Sequence, residues 1–383
     1  MGKIYTGPKY STGTVFQAKY SDPLIGDYRG NPLIEALPAI MSKEEVSDIF
    51  SKEPPYDPEE RKLPPELRSH CVNKLLSYFY PLDVHFQLEQ QISMLLRQGY
   101  VTRNPLKENI NSSNLAENST GTTFYTDPAC PRSISDTIGF TITGKPGVGI
   151  SKGIEKVLST YPQMLIHDDY NSIDFYVYQI VWLKIEFPST GTFRGLCKNF
   201  FRAMDKVIWT TNYEYTYCSS GTKEDRMLKK MKELATFYCL GVLIIDFQNL
   251  SFAKGKIRKI LDLLNLLINE LGVPLIFVGI DNSLEFLQTH FLEIRKNQEQ
   301  SDIEWPKLSK DLTWEHFLTK IWKYQWTDEE CPLTEALSDV LFTKSQGIVD
   351  LAIRLYALAQ LEIIAAGQGK ITSNLINKIA DHS

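Results

Sequence analysis

The sequence predicts an α/β protein: a P-loop core on a parallel sheet, with an N-terminal arm and helical segment before it and a C-terminal helical lid after it. Three observations carry that expectation. A glycine-rich stretch, Gly144-Lys145-Pro146-Gly147-Val148-Gly149-Ile150-Ser151, joins a β-rich run (Ile138, Phe140, Ile142) to a helix-like run (Ile154, Val157, Leu158). Short, almost wholly apolar segments such as Gly241-Val242-Leu243-Ile244-Ile245 suit strands covered on both faces. From about residue 311 onward the apolar spacing is helical.

A chain of 383 residues has room for two or three domains and a large core. Its formal net charge of −5 gives no global nucleic-acid signature, so contact with DNA would need a local basic face. Cys71, Cys130, Cys197, Cys218, Cys239 and Cys331 are scattered, with no C-x-x-C pair and no histidine at ligand spacing. That usage predicts free thiols in a reducing cytosol and argues against a disulfide frame or a zinc site. No signal-peptide core and no membrane-length apolar run is visible, so a cytoplasmic protein without membrane contact is expected.

Residues 1–62, rich in Pro, Gly, Tyr and Ser, read as an extended N-terminal arm with weak local order. Within it, the stretch from Tyr28 to Pro38 mixes apolar anchors with turn formers, which fits either an arm packed on its own core or a docking segment for another protein. Residues 63–135 form a helical adaptor with a polar loop. Leu82, Phe86, Leu88, Ile92, Leu95 and Leu96 recur at helical spacing, Gly99 is the expected stop, and 105–131 is polar. Residues 136–300 alternate strands (139–143, 177–185, 242–245, 275–278) with helices (153–160, 193–208, 223–238, 256–271), as a nucleotide-binding α/β core does. Residues 301–383 make the helical lid, ending in helices over 347–366 and 371–380. An α/β core followed by a helical lid is the AAA+ layout.

The chemistry expected of that layout is only partly present. A strand, a glycine turn and a helix bring backbone N–H groups and a helix N-terminus to one point, which suits a phosphate. Gly144, Gly147 and Gly149 hold the glycine positions, Ser151 holds the place of the Mg²⁺-binding hydroxyl, and Lys145 is a substitute cation within the loop. Ile150 stands where the phosphate-binding lysine belongs. A charge-assisted hydrogen bond of that kind is worth roughly 1.5–3 kcal/mol, so its loss costs about ten- to a hundred-fold in affinity. The run Val242-Leu243-Ile244-Ile245-Asp246 supplies an acid for a metal-bound water, with Asp246 and Ser151 as the candidate Mg²⁺ ligands. Phe247 follows in place of the water-polarising glutamate. Gln248 could orient a water but not accept its proton, and general bases contribute about 10²–10⁴-fold in rate. The third strand ends at Ile280, apolar where a polar residue is expected, with Asp281 and Asn282 next to it. In the lid, Ser345-Gln346-Gly347 opens a helix bearing Arg354, a candidate phosphate sensor or an ordinary surface arginine, and Arg295 and Lys296 are weaker candidates for a cation acting in trans.

Lys198, Arg202 and Lys206 recur at i, i+4 and i+8 and so share one helix face opposite Leu196, Phe200, Phe201 and Val207. Further cations cluster at Lys223, Arg226, Lys229, Lys230 and Lys232, and at Lys254, Lys256, Arg258 and Lys259. Each cluster alone fits a solvated face, whereas several on one domain of an acidic chain suit sequence-independent phosphate tracking.

On a set of longer words the chain resembles TnsC, the AAA+ regulator of heteromeric-transposase transposons, and more distantly TniB-type proteins. The words are Tyr28-Arg29-Gly30-Asn31-Pro32 through Leu37-Pro38, Ile92-Ser93-Met94, Arg97-Gln98-Gly99-Tyr100-Val101 and Arg103-Asn104-Pro105. They continue in Tyr161-Pro162-Gln163, Asn199-Phe200-Phe201-Arg202-Ala203, Gly272-Val273-Pro274, Ser345-Gln346-Gly347 and Leu358-Ala359-Gln360-Leu361. The resemblance implies an ATP- and Mg²⁺-gated homo-oligomeric ring on duplex DNA that receives a TnsD-like or RNA-guided target selector and recruits a TnsA/TnsB-type transposase. It also implies that the arm docks the selector and that Lys198 and Arg202 face DNA. Family members carry Gly-Lys-Thr/Ser in the loop and Asp-Glu on the second strand, where this chain has Gly149-Ile150-Ser151 and Asp246-Phe247. The leading expectation is therefore a transposition adaptor with a degenerate ATP site. An active DNA-stimulated ATPase using Lys145 and Gln248, and a nucleotide-free decoy subunit of a related ring, are the alternatives.

Overall fold

The computed structural model describes residues 4–5, 15–106, 139–209, 211–248, 257–280 and 302–382. Its first elements are β1 (Ile4–Tyr5), β2 (Val15–Gln17), α1 (Pro32–Glu35), α2 (Lys43–Phe50), α3 (Pro65–Val72) and α4 (Asp83–Val101). Next come β3 (Gly139–Gly144), α5 (Ile150–Leu158), β4 (Met164–Tyr170), β5 (Ile173–Ile180), β6 (Trp182–Glu186), α6 (Phe193–Ile208), α7 (Tyr213–Tyr217) and α8 (Glu224–Phe237). Then follow β7 (Val242–Asp246), α9 (Ile257–Leu271), β8 (Leu275–Ile280), β9 (Ile303–Trp305), α10 (Leu312–Trp322), α11 (Glu335–Ser345), α12 (Val349–Ala366) and α13 (Ser373–His382). Two discontinuous compact units result: residues 1–40, 88–143 and 155–304, and residues 41–87, 144–154 and 305–383. These units cut across the boundaries expected from composition.

The first unit is built on a five-stranded sheet in the order β6-β7-β8-β3-β9. β6 pairs parallel with β7, Trp182 opposite Val242 through Glu186 opposite Asp246, and β7 pairs parallel with β8. Every residue of β7 is buried, which is why its sequence is an unbroken apolar run closed by one acid. The strand that follows the loop-bearing β3 in chain order is not its neighbour; β8 lies between β3 and the acid strand β7. α6 packs through Leu196, Phe200, Phe201 and Met204 into the same core as Leu183, Ile185 and Leu243. Thr192 caps α6 by accepting from the Gly195 N–H.

A second sheet in this unit, β1-β2-β4-β5, departs from expectation. The single strand expected over 177–185 is two strands in different sheets, broken at the buried Val181, whose N–H goes to the Gln163 carbonyl. β4 and β5 form a hairpin turning at Asn171 and Ser172, with φ of 51° and 65°. Positive φ at both central residues is the turn that matches strand twist. The described part of the arm is ordered too. β2 pairs parallel with β4, and Asn31 caps α1 while its amide donates to the Tyr100 carbonyl at 2.8 Å. Asn104 donates to the Gly30 carbonyl, Arg97 to that of Pro38 and Gln179 to that of Leu33. For residues 31–38, packing on the protein's own core is what the structure shows. Gly99 is not a stop: α4 runs two residues past it, and a Cβ there would lie 2.8 Å from Pro274 Cγ.

The second unit has its own aromatic core, with Trp314, Phe317, Trp326 and Tyr356 all fully buried. Trp322 and Tyr356 stack at 4.6 Å, and the Tyr356 hydroxyl donates to the Trp322 carbonyl. Gln360 accepts from the Trp326 N–H and donates to the Tyr324 carbonyl, so a buried amide is spent on backbone groups with no helical partner. α2 begins with a capping box between Ser42 and Glu45. Among the described residues no helix is long and apolar enough to cross a membrane, and Cys71, Cys197, Cys218, Cys239 and Cys331 form no disulfide. Burial pushes the Cys197 thiol up to about 12.

Candidate nucleotide site and basic face

The loop belongs to the second unit, where residues 144–154 pack. Gly147 and Gly149 have φ of +81° and +103°, and a Cβ on either would meet nothing within 4 Å. Their backbone needs glycine for its left-handed turns, and open space lies where a ligand approaches a P-loop. Gly144 and Gly153 are small for another reason. A Cβ on Gly144 would lie 2.8 Å from Trp305 Cβ, and one on Gly153 would lie 2.2 Å from Trp305 Cη2 and 3.2 Å from His85 Cδ2. α5 begins at Ile150, three residues earlier than the periodicity suggests, so Ile150 is its first residue.

Ile150 is only 5% exposed, and its Cδ1 reaches toward Gly144. The position that should project an ammonium toward phosphate is thus an inward apolar anchor. Lys145 is exposed and Ser151 half-buried at the helix start. Lys152 forms an ion pair with Asp350 in the first turn of α12, and Arg354 reaches the same carboxylate at 3.0 Å. The candidate sensor arginine is therefore held by an i, i+4 partner on its own helix.

The acid strand lies in the first unit. Asp246 is 9% exposed; its Oδ1 accepts from the Gln248 N–H at 3.0 Å, and its Oδ2 lies 3.4 Å from Lys184 Nζ. Both oxygens have partners, one of them a cation from the neighbouring strand. Phe247 is fully buried and stacks on Phe187 at 4.4 Å, with Phe277 edge-on at 5.9 Å. The side chain that follows Asp246, where the sequence pattern leads one to expect a glutamate, thus points into an aromatic core. Among the described residues no group of three or more His, Cys, Asp or Glu could hold a metal ion. The side chain of Ile280, and all of Asp281, Asn282, Arg295, Lys296, Lys254 and Lys256, lie outside the described residues.

On α6, Lys198, Arg202 and Lys206 are all exposed along one face. Glu214 on α7 holds two of them: Arg202 donates through Nε and Nη2 at 2.8 Å each, and Lys198 lies at 3.5 Å. The Arg202 guanidinium beside Glu214 holds its carboxyl below the usual range. Arg202 and Lys206 also line an open cavity of about 700 Å³ along the edge strand β6, with Trp182, Lys184 and Asn199. In the second basic cluster, Lys230 pairs with Glu233 and Lys232 with Glu270.

Sequence reasoning missed Lys184, Asp350 and Trp305. The Asp350–Arg354 spacing was readable as a helical i, i+4 pair. Lys184 depends on strand register, and Trp305 on packing, neither of which a linear pattern carries.

Residues 138–287 match the AAA domain family. No curated protein matches the chain. Solved structures similar to it include the Aeropyrum pernix ORC2 protein in its ADP form, at 9% identity over 65% of this chain and 63% of that one, with a TM-score of 0.40. The Aeropyrum pernix ORC1 protein in complex with DNA is 16% identical over 64% of this chain and 59% of that one, TM-score 0.38. C. elegans PCH-2 is 12% identical over 82% and 72%, TM-score 0.34. The chain spans less than two thirds of the length of both ORC proteins. No score reaches 0.5, so the AAA+ P-loop fold rests on the family match, the sheet order and the loop.

Proposed function

We propose that the chain is a TnsC-like AAA+ adaptor of transposition that associates with target DNA, links a target-selecting protein to a transposase, and holds nucleotide as a structural ligand without hydrolysing it. The observation that carries the degenerate site is the pair Ile150 and Phe247. Both replace a reactive side chain with one buried in the protein's own core. The glycine turn at Gly147 and Gly149 keeps backbone N–H groups and a helix start for an anion, so binding outlasts chemistry in this reading. In it, Lys145, Ser151 and the loop backbone would hold the triphosphate, while the Asp246 carboxylate is engaged by Lys184 in the first unit. The nucleotide would supply charge bridging loop and lid; the chain's residues would position it and keep water from a base that is not there.

The DNA part rests on the solvent-facing row of Lys198, Arg202 and Lys206 and on the resemblance to TnsC. A ring and the selector and transposase partners rest on that resemblance alone. The ion pair between Lys184 and Asp246 favours a second reading, a nucleotide-free decoy subunit, because it satisfies the acid without metal.

One experiment divides the readings: binding of ATP and a non-hydrolysable analogue, then phosphate release, with and without duplex DNA. Binding without turnover supports the adaptor. DNA-stimulated turnover lost in Asp246→Ala would establish an enzyme, and no binding would leave the decoy. Lys198→Glu with Arg202→Glu is expected to weaken duplex binding and flatten its salt dependence; an unchanged slope removes this face from the interface.

A further inference from the structure

Two cations from different elements of the second unit converge on one carboxylate. Lys152 projects from the first turns of α5, directly after the glycine loop, and Arg354 from α12; both reach Asp350. Asp350 lies in the first turn of α12, where the helix dipole favours a negative charge. The turn leading into α12 is fixed, since Gln346 and Gly347 both have positive φ and the Lys307 ammonium donates to Gln346 Oε1 at 2.8 Å.

Such convergence describes an anion site whose anion is supplied by the chain itself. The lysine and arginine side chains are 54% and 63% exposed, whereas the carboxylate between them is 25% exposed. Pairs this exposed contribute about 0–1 kcal/mol, so Asp350 is a weak occupant that a more highly charged anion can replace. Lys145, exposed in the loop, adds a third positive charge near the start of α5.

We infer that Lys152 and Arg354 form a polyphosphate-binding site, and that Asp350 fills it as an internal counter-ion when no phosphate is bound. The inference deepens the nucleotide reading above and rests on the loop being its site. Asp350 then sets the threshold for binding. A triphosphate must displace the carboxylate before it can bridge the loop helix and the lid helix, and its negative charge opposes the approaching phosphates. This supplies what Ile150 withholds, a cation one turn from the glycines, and makes its availability conditional.

The test is calorimetric titration of wild type, Asp350→Asn, and Asp350→Asn combined with Lys152→Met and Arg354→Met, using inorganic pyrophosphate and ATP as separate probes at low salt. Freeing two cations is expected to tighten binding in Asp350→Asn by about ten-fold or more, and the triple variant is expected to lose that gain. Circular dichroism checks that each variant is folded, and Asp350→Ser provides a second neutral replacement. Gain for pyrophosphate but not for ATP supports the anion site and removes the nucleotide reading. ATP binding by both proteins with no gain in Asp350→Asn for either probe overturns the site and leaves the nucleotide reading intact. No binding of either probe by any variant overturns both.

Discussion

In the function proposed above, the glycine loop and the end of the acid strand have lost the same thing in different ways. Each replaces a reactive residue with an apolar one that is buried, Ile150 in the loop and Phe247 after the strand. Around Ile150 the backbone stays open, with Gly147 and Gly149 facing free space and exposed Lys145 and Lys152 near by. Around Phe247 the structure has closed, with two phenyl rings against it and Lys184 on Asp246. On that proposal, losing a charge at a surface loop leaves a weaker binding site, whereas losing a base to the core removes the space in which chemistry would happen.

The largest test of that contrast is at Phe247. Phe247→Ala should cost about 3–5 kcal/mol of stability, read from a denaturant midpoint, because it empties a site packed on two rings. Phe247→Glu should destabilise the fold and give no turnover; a stable, hydrolysing variant would break the comparison. A second test uses His85, whose ring packs edge-on against Trp305 at 5.1 Å and accepts from the Leu82 N–H at 2.9 Å. Burial lowers its pKa from 6.5 to about 4. The folded pKa is below the unfolded one, so the neutral ring's contribution is complete above pH 6.5 and is lost as pH falls toward 4, on the order of 3 kcal/mol in all. The loop should therefore loosen in mild acid. His85→Gln should reduce the slope of stability against pH between 6.5 and 5, and an unchanged slope would detach the loop's seat from this ring. The smallest expected effect is at Ile150→Lys. A lysine there can run its stem along apolar surface and place its head in water, tightening ATP binding by about ten-fold at a modest loss of stability. No gain would mean that the open loop is not a phosphate site.

What could be read in advance follows from how locally each feature is encoded. The buried strand β7 and the glycine turn are contiguous in sequence and announce themselves by composition. The hairpin of β4 and β5 rests on Asn171 and Ser172 alone, a weak turn signal between segments that carry acids on their exposed face. Ile150 and Phe247 are legible as missing charges, but not as core residues, because burial depends on Gly144, Phe187 and Phe277 from other parts of the chain. Arg97, Arg103 and Asn104, words of the family resemblance, turn out to be buried and bonded to backbone carbonyls. Their recurrence would report a shared scaffold as readily as a shared task.

Trp305 has a consequence for the history such a site can have. Its Cβ crowds out a side chain at Gly144 and its indole one at Gly153, while no ligand is involved in that exclusion. Drift that erodes nucleotide chemistry is then free to act on Ile150 but barred from these two positions. Part of the signature survives as masonry, and a search keyed to glycine spacing would go on counting a binding site after the last nucleotide had left.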